Sequence, residues 1–223
     1  MLVLGIDTSW KHGSLALLRD ADLLGSAPLE GGLFSAQLVP QIARLLAEHK
    51  LKKTDLDGFS VVSGPGSFTG LRVGLAAVKG LAEALHKPIA ATTVLEAMAL
   101  GSGHDGGIAA VLDAGRGEIF VGEYQLRREG ETLQATSLRE AVFSREEAAK
   151  EVAGKKVICC EQPVAELLRA GKFEVIERPR PDSVAIARIG MEKIARGMTV
   201  SPGQLDADYI RRSDAEIVSA PKP

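Results

Sequence analysis

Asp7 and Asp113 are the residues whose type and setting most readily suggest chemistry. Each closes a short apolar run and is followed by small or hydroxyl-bearing residues, in IDTS at 6–9 and DAGRGEIF at 113–120. Two acidic tips facing one cleft would suit a magnesium-bound nucleotide, with Thr8, Ser9 and the amides of residues 115–117 near its phosphates. The same aspartates could equally end strands and accept turn hydrogen bonds. No lysine or further acid is placed for phosphoryl transfer, so the residues fit a binding cleft better than a competent kinase.

A second candidate is GPGSFTG at 64–70, a glycine-rich loop that turns into a helix. Such a loop can cradle phosphate at a helix N-terminus. Its spacing is GxGxxxG rather than GxGxxG, and it lacks the GK[ST] ending of a Walker loop. The alternative is a tight turn that starts a closely packed helix, with Ser67 as N-cap. Other chemistry finds little support. His12, His49, His86 and His104 form no HExxH pair and read as solvated side chains. The adjacent Cys159 and Cys160 make neither a disulfide framework nor a zinc site, and there is no GxSxG elbow. No catalytic residue and no metal ligand is expected.

The element that must position these loops is a helix over 68–86. At about 100° per residue, Thr69, Arg72, Lys79, Glu83 and His86 share one wet stripe. Leu71, Leu75, Val78, Leu81 and Leu85 form a bulky side suited to a sheet. Gly70, Val73, Ala77, Gly80 and Ala84 form a small-residue side suited to close approach by another helix. Glycine inside a helix costs about 1 kcal/mol relative to alanine, so Gly70, Gly74 and Gly80 call for an offsetting contact, either within the fold or with a second molecule.

Around it, residues 2–6 and 14–18 read as a hairpin with Asp7 at its tip, followed by a strand near 22–26 and a helix over 34–49 carrying Leu38, Ile42, Leu45 and Leu46. A buried strand at 59–63 leads into the central loop. After the linker-like GSGHDGG at 101–107, residues 108–112 and 119–124 repeat the opening hairpin pattern, which suggests duplication. Capping-box spacing marks helix starts at Thr93 and Ser144, and a strand at 156–160 and a helix at 183–196 follow. The expected division is 1–102, 103–198 and a C-terminal extension, 199–223, partly packed and partly loose.

At 223 residues, 45% apolar and 25% charged, the chain can bury a substantial core. A net charge of -2 supplies no bulk attraction for nucleic acid. Two cysteines fit a reduced, cytoplasmic setting, and neither a signal peptide nor an apolar run of membrane-spanning length is expected.

GPGSFTGLRVG and AVKGLA, taken with IDTS, DAGRGEIF and ADYIRRSDAE at 207–216, resemble the bacterial TsaB (YeaZ) family over nearly the whole chain. The resemblance implies an α/β fold of the actin-like, Hsp70-like ATPase (ASKHA, ribonuclease H-like) type, with two subdomains built on related mixed sheets. It implies a non-catalytic scaffold that binds and activates the enzyme TsaD in threonylcarbamoyl modification of the adenosine next to the anticodon, in tRNAs reading codons that begin with A. TsaE would join the complex, tRNA would be met only through it, and the lone chain would form a homodimer. The implied interface is the first two long helices, here Phe34, Leu38, Gly70, Arg72, Val73, Gly74, Ala77, Gly80 and Ala84. No cofactor is required, and Asp7, Thr8, Ser9 and Asp113 are left as a vestigial cleft with weak ATP/ADP–Mg binding. Two departures stand out: FSAQLVP replaces the family's HSExLLP, putting Phe34 and Ala36 in place of a polar pair, and DAGRGE replaces DARRGE at Gly115. The rival class is a self-sufficient enzyme of the same fold, an ATPase or kinase using Asp7 and Asp113 or a glycoprotease.

Overall fold

The computed structural model describes residues 1–20, 22–208 and 210. They form two compact units: Met1–Ala97 together with Pro181–Ala207, and a second centred on Met98–Arg180.

In the first unit, β1 (Leu2–Asp7), β2 (His12–Arg19) and β3 (Asp22–Glu30) form an antiparallel meander. Helix α1 (Phe34–Glu48), β4 (Gly58–Gly64), α2 (Phe68–Leu85) and β5 (Ile89–Thr93) follow, and α3 (Val94–Gly101) contains the break between the two units. The sheet order is β3-β2-β1-β4-β5, with β4 parallel to β1 and β5 parallel to β4. In the second unit, β6 (Gly106–Gly115), β7 (Glu118–Glu129) and β8 (Thr132–Ser144) precede α4 (Arg145–Glu151), β9 (Lys156–Cys159), α5 (Gln162–Ala170) and β10 (Val175–Glu177). Its sheet order, β10-β9-β6-β7-β8, is the first order element for element. The hairpin repeat visible in the sequence is therefore part of a repeat of the whole β-β-β-α-β-α-β unit.

Helix α6 (Ser183–Ala195) follows β10 in the chain yet packs on the first sheet. The expected division put residues 103–198 together. Here residues 181–207 join the first unit instead, and the break near residue 100 falls between Ala97 and Met98. The reason is steric fit. A Cβ on Gly5 would meet the Ser183 carbonyl at 2.4 Å and one on Gly190 would meet Ser60 Oγ at 2.1 Å, so small residues on both partners let helix and sheet backbones approach. Ser60 donates a hydrogen bond to the Ile186 carbonyl at 2.7 Å, and Ala16 and Leu18 pack on Ala187. Lys193 ties the far end to Glu96 at 2.7 Å and to the Ala91 carbonyl at 2.8 Å.

Strand alternation then sends the odd positions of β2, such as Gly13 and Leu15, to the opposite face. There Phe34 of α1 meets Gly13, and Leu45 meets Gly25. α1 and α2 lie side by side on that face, so the first sheet is covered on both sides and its central strands are buried along their whole length. Sequence expectations stop short in places: β3 runs on to Glu30, and β8 and β10 were not foreseen. The expected structure at 207–212 lies mostly outside the described residues. Among the described residues, no helix is long and apolar enough to cross a membrane.

Candidate functional site

The segment after β1 and the segment after β4 meet each other. Asp7, 5% exposed, accepts a hydrogen bond from the Ser9 amide at 2.8 Å, which folds residues 7–9 into a compact turn. The Ser9 carbonyl accepts from the Ser67 amide at 2.7 Å. A Cβ on Gly66 would lie 2.2 Å from that carbonyl, so the glycine is needed for the approach. Ser67 caps α2 as the sequence implies, its hydroxyl accepting from the Gly70 amide. The hydroxyl-bearing turn thus braces the start of α2.

That brace decides where the small residues of α2 go. A Cβ on Gly70 would meet the Thr8 carbonyl at 2.1 Å, and one on Gly74 would meet Thr8 Oγ1 at 2.3 Å. Thr8 is 1% exposed, and its Oγ1 has no hydrogen-bond partner among the described residues. Gly70 and Gly74 therefore owe their lack of side chain to a contact inside this chain, not to an outside helix. Phe34 and Leu38, which the resemblance implies as interface residues on the neighbouring helix, are 6% and 1% exposed. The Phe34 ring lies against Gly13 and Gly70, filling the core where a polar residue would lack partners.

What remains outward is narrower. Arg72, Ala76, Gly80 and Ala84 are exposed and Val73 and Ala77 half-exposed. Among the described residues, a Cβ on Gly80 would meet nothing within 4 Å. Phe68, 39% exposed, carries the Arg72 guanidinium 3.6 Å above its ring, and α1 adds Val39, 56% exposed. The outer edge of α2 is thus a low ridge of small side chains with a stacked aromatic and cation at one end. The leucine side behaves as the wheel implies: Leu71, Leu75 and Val78 are buried, while Leu81 and Leu85 are half-buried.

In the second unit, the Asp113 carboxylate accepts from the Gly115 amide at 3.0 Å, the same turn bond that Asp7 makes. Its own amide donates to Glu161 at 2.7 Å. Glu161, just past β9, escaped the sequence reading because nothing local marks it. Burial raises its carboxyl above the usual carboxylate value, partly offset by the Asp113 amide and by Arg180. Gly115, Arg116 and Gly117 all have positive φ, +72°, +56° and +82°, so the family's arginine at Gly115 would here occupy a conformation that favours glycine. Asp7 belongs to the first unit and Asp113 to the second. Cys159 and Cys160 are free thiols whose ionisation burial pushes up to about 11, which makes them poor nucleophiles. Among the described residues, no three His, Cys, Asp or Glu side chains group as metal ligands.

Two halves of identical strand order, each with an aspartate turn closing its first strand, define the duplicated actin-like (ASKHA) fold. The (R)-2-hydroxyglutaryl-CoA dehydratase component A of Acidaminococcus fermentans shares this fold at 12% identity, with a TM-score of 0.52. The chain belongs to the family described as TsaD: tRNA N6-adenosine threonylcarbamoyltransferase, whose model matches residues 32–185. Within this group it is similar to the tRNA threonylcarbamoyladenosine biosynthesis protein TsaB of Bacillus subtilis, 36% identical over 57% of this chain and 56% of that protein. The TsaB of Escherichia coli is 31% identical over 58% of each chain. The chain thus spans somewhat over half the length of these curated relatives. Among solved structures, YeaZ from Pseudomonas aeruginosa superposes with a TM-score of 0.72 at 27% identity, covering 94% of this chain and 100% of that one.

Proposed function

We propose that the chain is a non-catalytic subunit that docks a TsaD-type transferase and supports threonylcarbamoyl modification of the adenosine next to the anticodon of tRNA. The observation that carries this reading is the open outer edge of α2. Gly80 costs its helix about 1 kcal/mol relative to alanine, and among the described residues nothing lies within 4 Å of where a Cβ would sit. Close approach by a second backbone accounts for that cost, and helices lined with small residues pack at the short end of the usual 8–10 Å separation. The similarity to TsaB and YeaZ proteins supports a related transferase as the partner. Arg72, held flat on Phe68, borders the contact.

On this reading the lone chain pairs with a second copy through the same ridge, TsaE joins the assembled pair, and tRNA is met only through the complex. No cofactor is required, and the turns at Asp7, Thr8, Ser9 and Asp113 retain at most weak ATP/ADP–Mg binding. Ala77→Glu and Gly80→Glu test the surface by placing a carboxylate on the ridge without touching the brace. Each is expected to weaken co-purification with TsaD at least tenfold while leaving the circular dichroism spectrum unchanged. Normal binding by both variants overturns the proposal. Tight magnesium-ATP binding with turnover by the lone chain, lost in Asp7→Ala, would replace it with an enzyme.

A further inference from the structure

The second unit contains an apolar cavity of about 340 Å³ between α4, α5 and the sheet. The duplication explains its origin. In the first unit the equivalent helices, α1 and α2, run for 15 and 18 residues and fill the space over their sheet, α1 with Phe34, Leu38, Ile42, Leu45 and Leu46 and α2 with Leu71, Leu75 and Val78. Their counterparts α4 and α5 run for only 7 and 9 residues, and α4 offers Ala148 and Ala149 where α1 offers leucines. The same sheet topology is therefore roofed with less side-chain volume. Val111 and Ile119 form part of the floor, and Val164, Leu168 and Phe173 part of the walls.

We infer that this cavity is a binding site for a compact, uncharged apolar molecule, independent of the docking ridge on α2. Size sets the class: an engineered cavity of about 150 Å³ lined by aliphatic side chains holds benzene, so 340 Å³ suits a two-ring or medium-chain alkyl body. Charge sets the rest. Among the described residues the ionisable side chains on the lining are Arg145 and Glu146, one of each sign, so they offer no net attraction to an anion or a cation. Leu167, 43% exposed, extends the apolar lining toward solvent.

Indole is the test probe, titrated against the intact chain by saturation-transfer NMR and calorimetry. One saturable site with a dissociation constant below about 1 mM is expected. Ala148→Leu, which supplies the missing side-chain volume, should weaken it at least tenfold without lowering the melting temperature. Should that variant fail to fold, Ala149→Leu at the neighbouring half-buried position serves the same purpose. Indole-3-acetate and tryptamine should bind no more tightly than indole itself. Absence of saturable binding up to the solubility limit overturns the inference, as does binding retained in the filled variant. A tenfold preference for either charged analogue does so as well, because the ligand class would then be ionic.

Discussion

Gly74 and Gly80 sit six residues apart on one helix, and alanine should stabilise at Gly80 but not at Gly74. At Gly80 a Cβ meets nothing, so Gly80→Ala gains the helix propensity difference of about 1 kcal/mol without a steric term. At Gly74 the same gain is opposed by Thr8. Its Oγ1 would lie 2.3 Å from the new Cβ and must retreat by about 1 Å to reach ordinary contact. Thr8 is buried and β-branched, and turning it about χ1 exchanges the hydroxyl for Cγ2, already 3.5 Å from the same point. Overpacking of this kind costs roughly 1–3 kcal/mol, so Gly74→Ala comes out between neutral and about 2 kcal/mol destabilised. The two variants should therefore differ by roughly 1–3 kcal/mol, a separation of about 2–12 °C in melting temperature for a chain of this size. Thermal unfolding followed by circular dichroism, with urea titration as a second measure, reads this directly. If Gly80→Ala melts below the parent protein, or Gly74→Ala melts as high as Gly80→Ala, then the division of α2 into a braced inner edge and an open outer edge is wrong.

Two further outcomes follow from the second unit. Because burial pushes both Cys159 and Cys160 up to about 11, iodoacetamide at pH 8 should leave the folded protein unlabelled over minutes yet add two labels in urea, as read by intact mass; rapid labelling of either thiol in the folded state would contradict the burial argument. The Glu147 carboxylate is held below its usual value, first by the Ser144 hydroxyl and then by the Ser144 amide. A depressed folded-state value means that its contribution is present above the unfolded value of 4.5 and is lost as pH falls through the folded one. The stability deficit of Glu147→Gln at pH 6 should accordingly shrink on acidification, and a deficit that grows instead would refute the assignment.

The parts of this fold that could be read from the chain are those whose signal is local. The Ser67 and Ser144 caps, the leucine side of α2 and the two aspartate turns all depend on residues within a few positions of one another. β8 gave no such signal because it lies at a sheet edge with a mixed, half-exposed pattern, and β10 is only three residues long. The placement of α6 depends on Gly190 and Ala187 fitting Ser60 and Gly5, pairings across more than a hundred residues. The small residues of α2 show the limit most clearly. Composition marks Gly70, Gly74 and Gly80 as equally bare, yet Thr8 covers the first two and leaves the third open. Phe34 misled for the converse reason, since a residue standing where relatives carry a polar one looked outward until Gly13 gave its ring a place in the core.

The duplication also explains how one architecture supports two different surfaces. The strands are repeated in number, order and direction, so the sheets fix where the Asp7 and Asp113 turns fall. The connecting helices are free to diverge because only one side of each is constrained by a sheet. An 18-residue helix is about 27 Å long and a 9-residue helix about 13 Å. The long helix can therefore cover its sheet, receive the brace from Thr8 near its start and still present the ridge from Val73 to Ala84 beyond it. The short helix has no length left after covering its sheet, and even that cover is incomplete at Ala148. The longer α2 leaves the first unit an outward surface, and the shorter α4 and α5 leave the second an inward one.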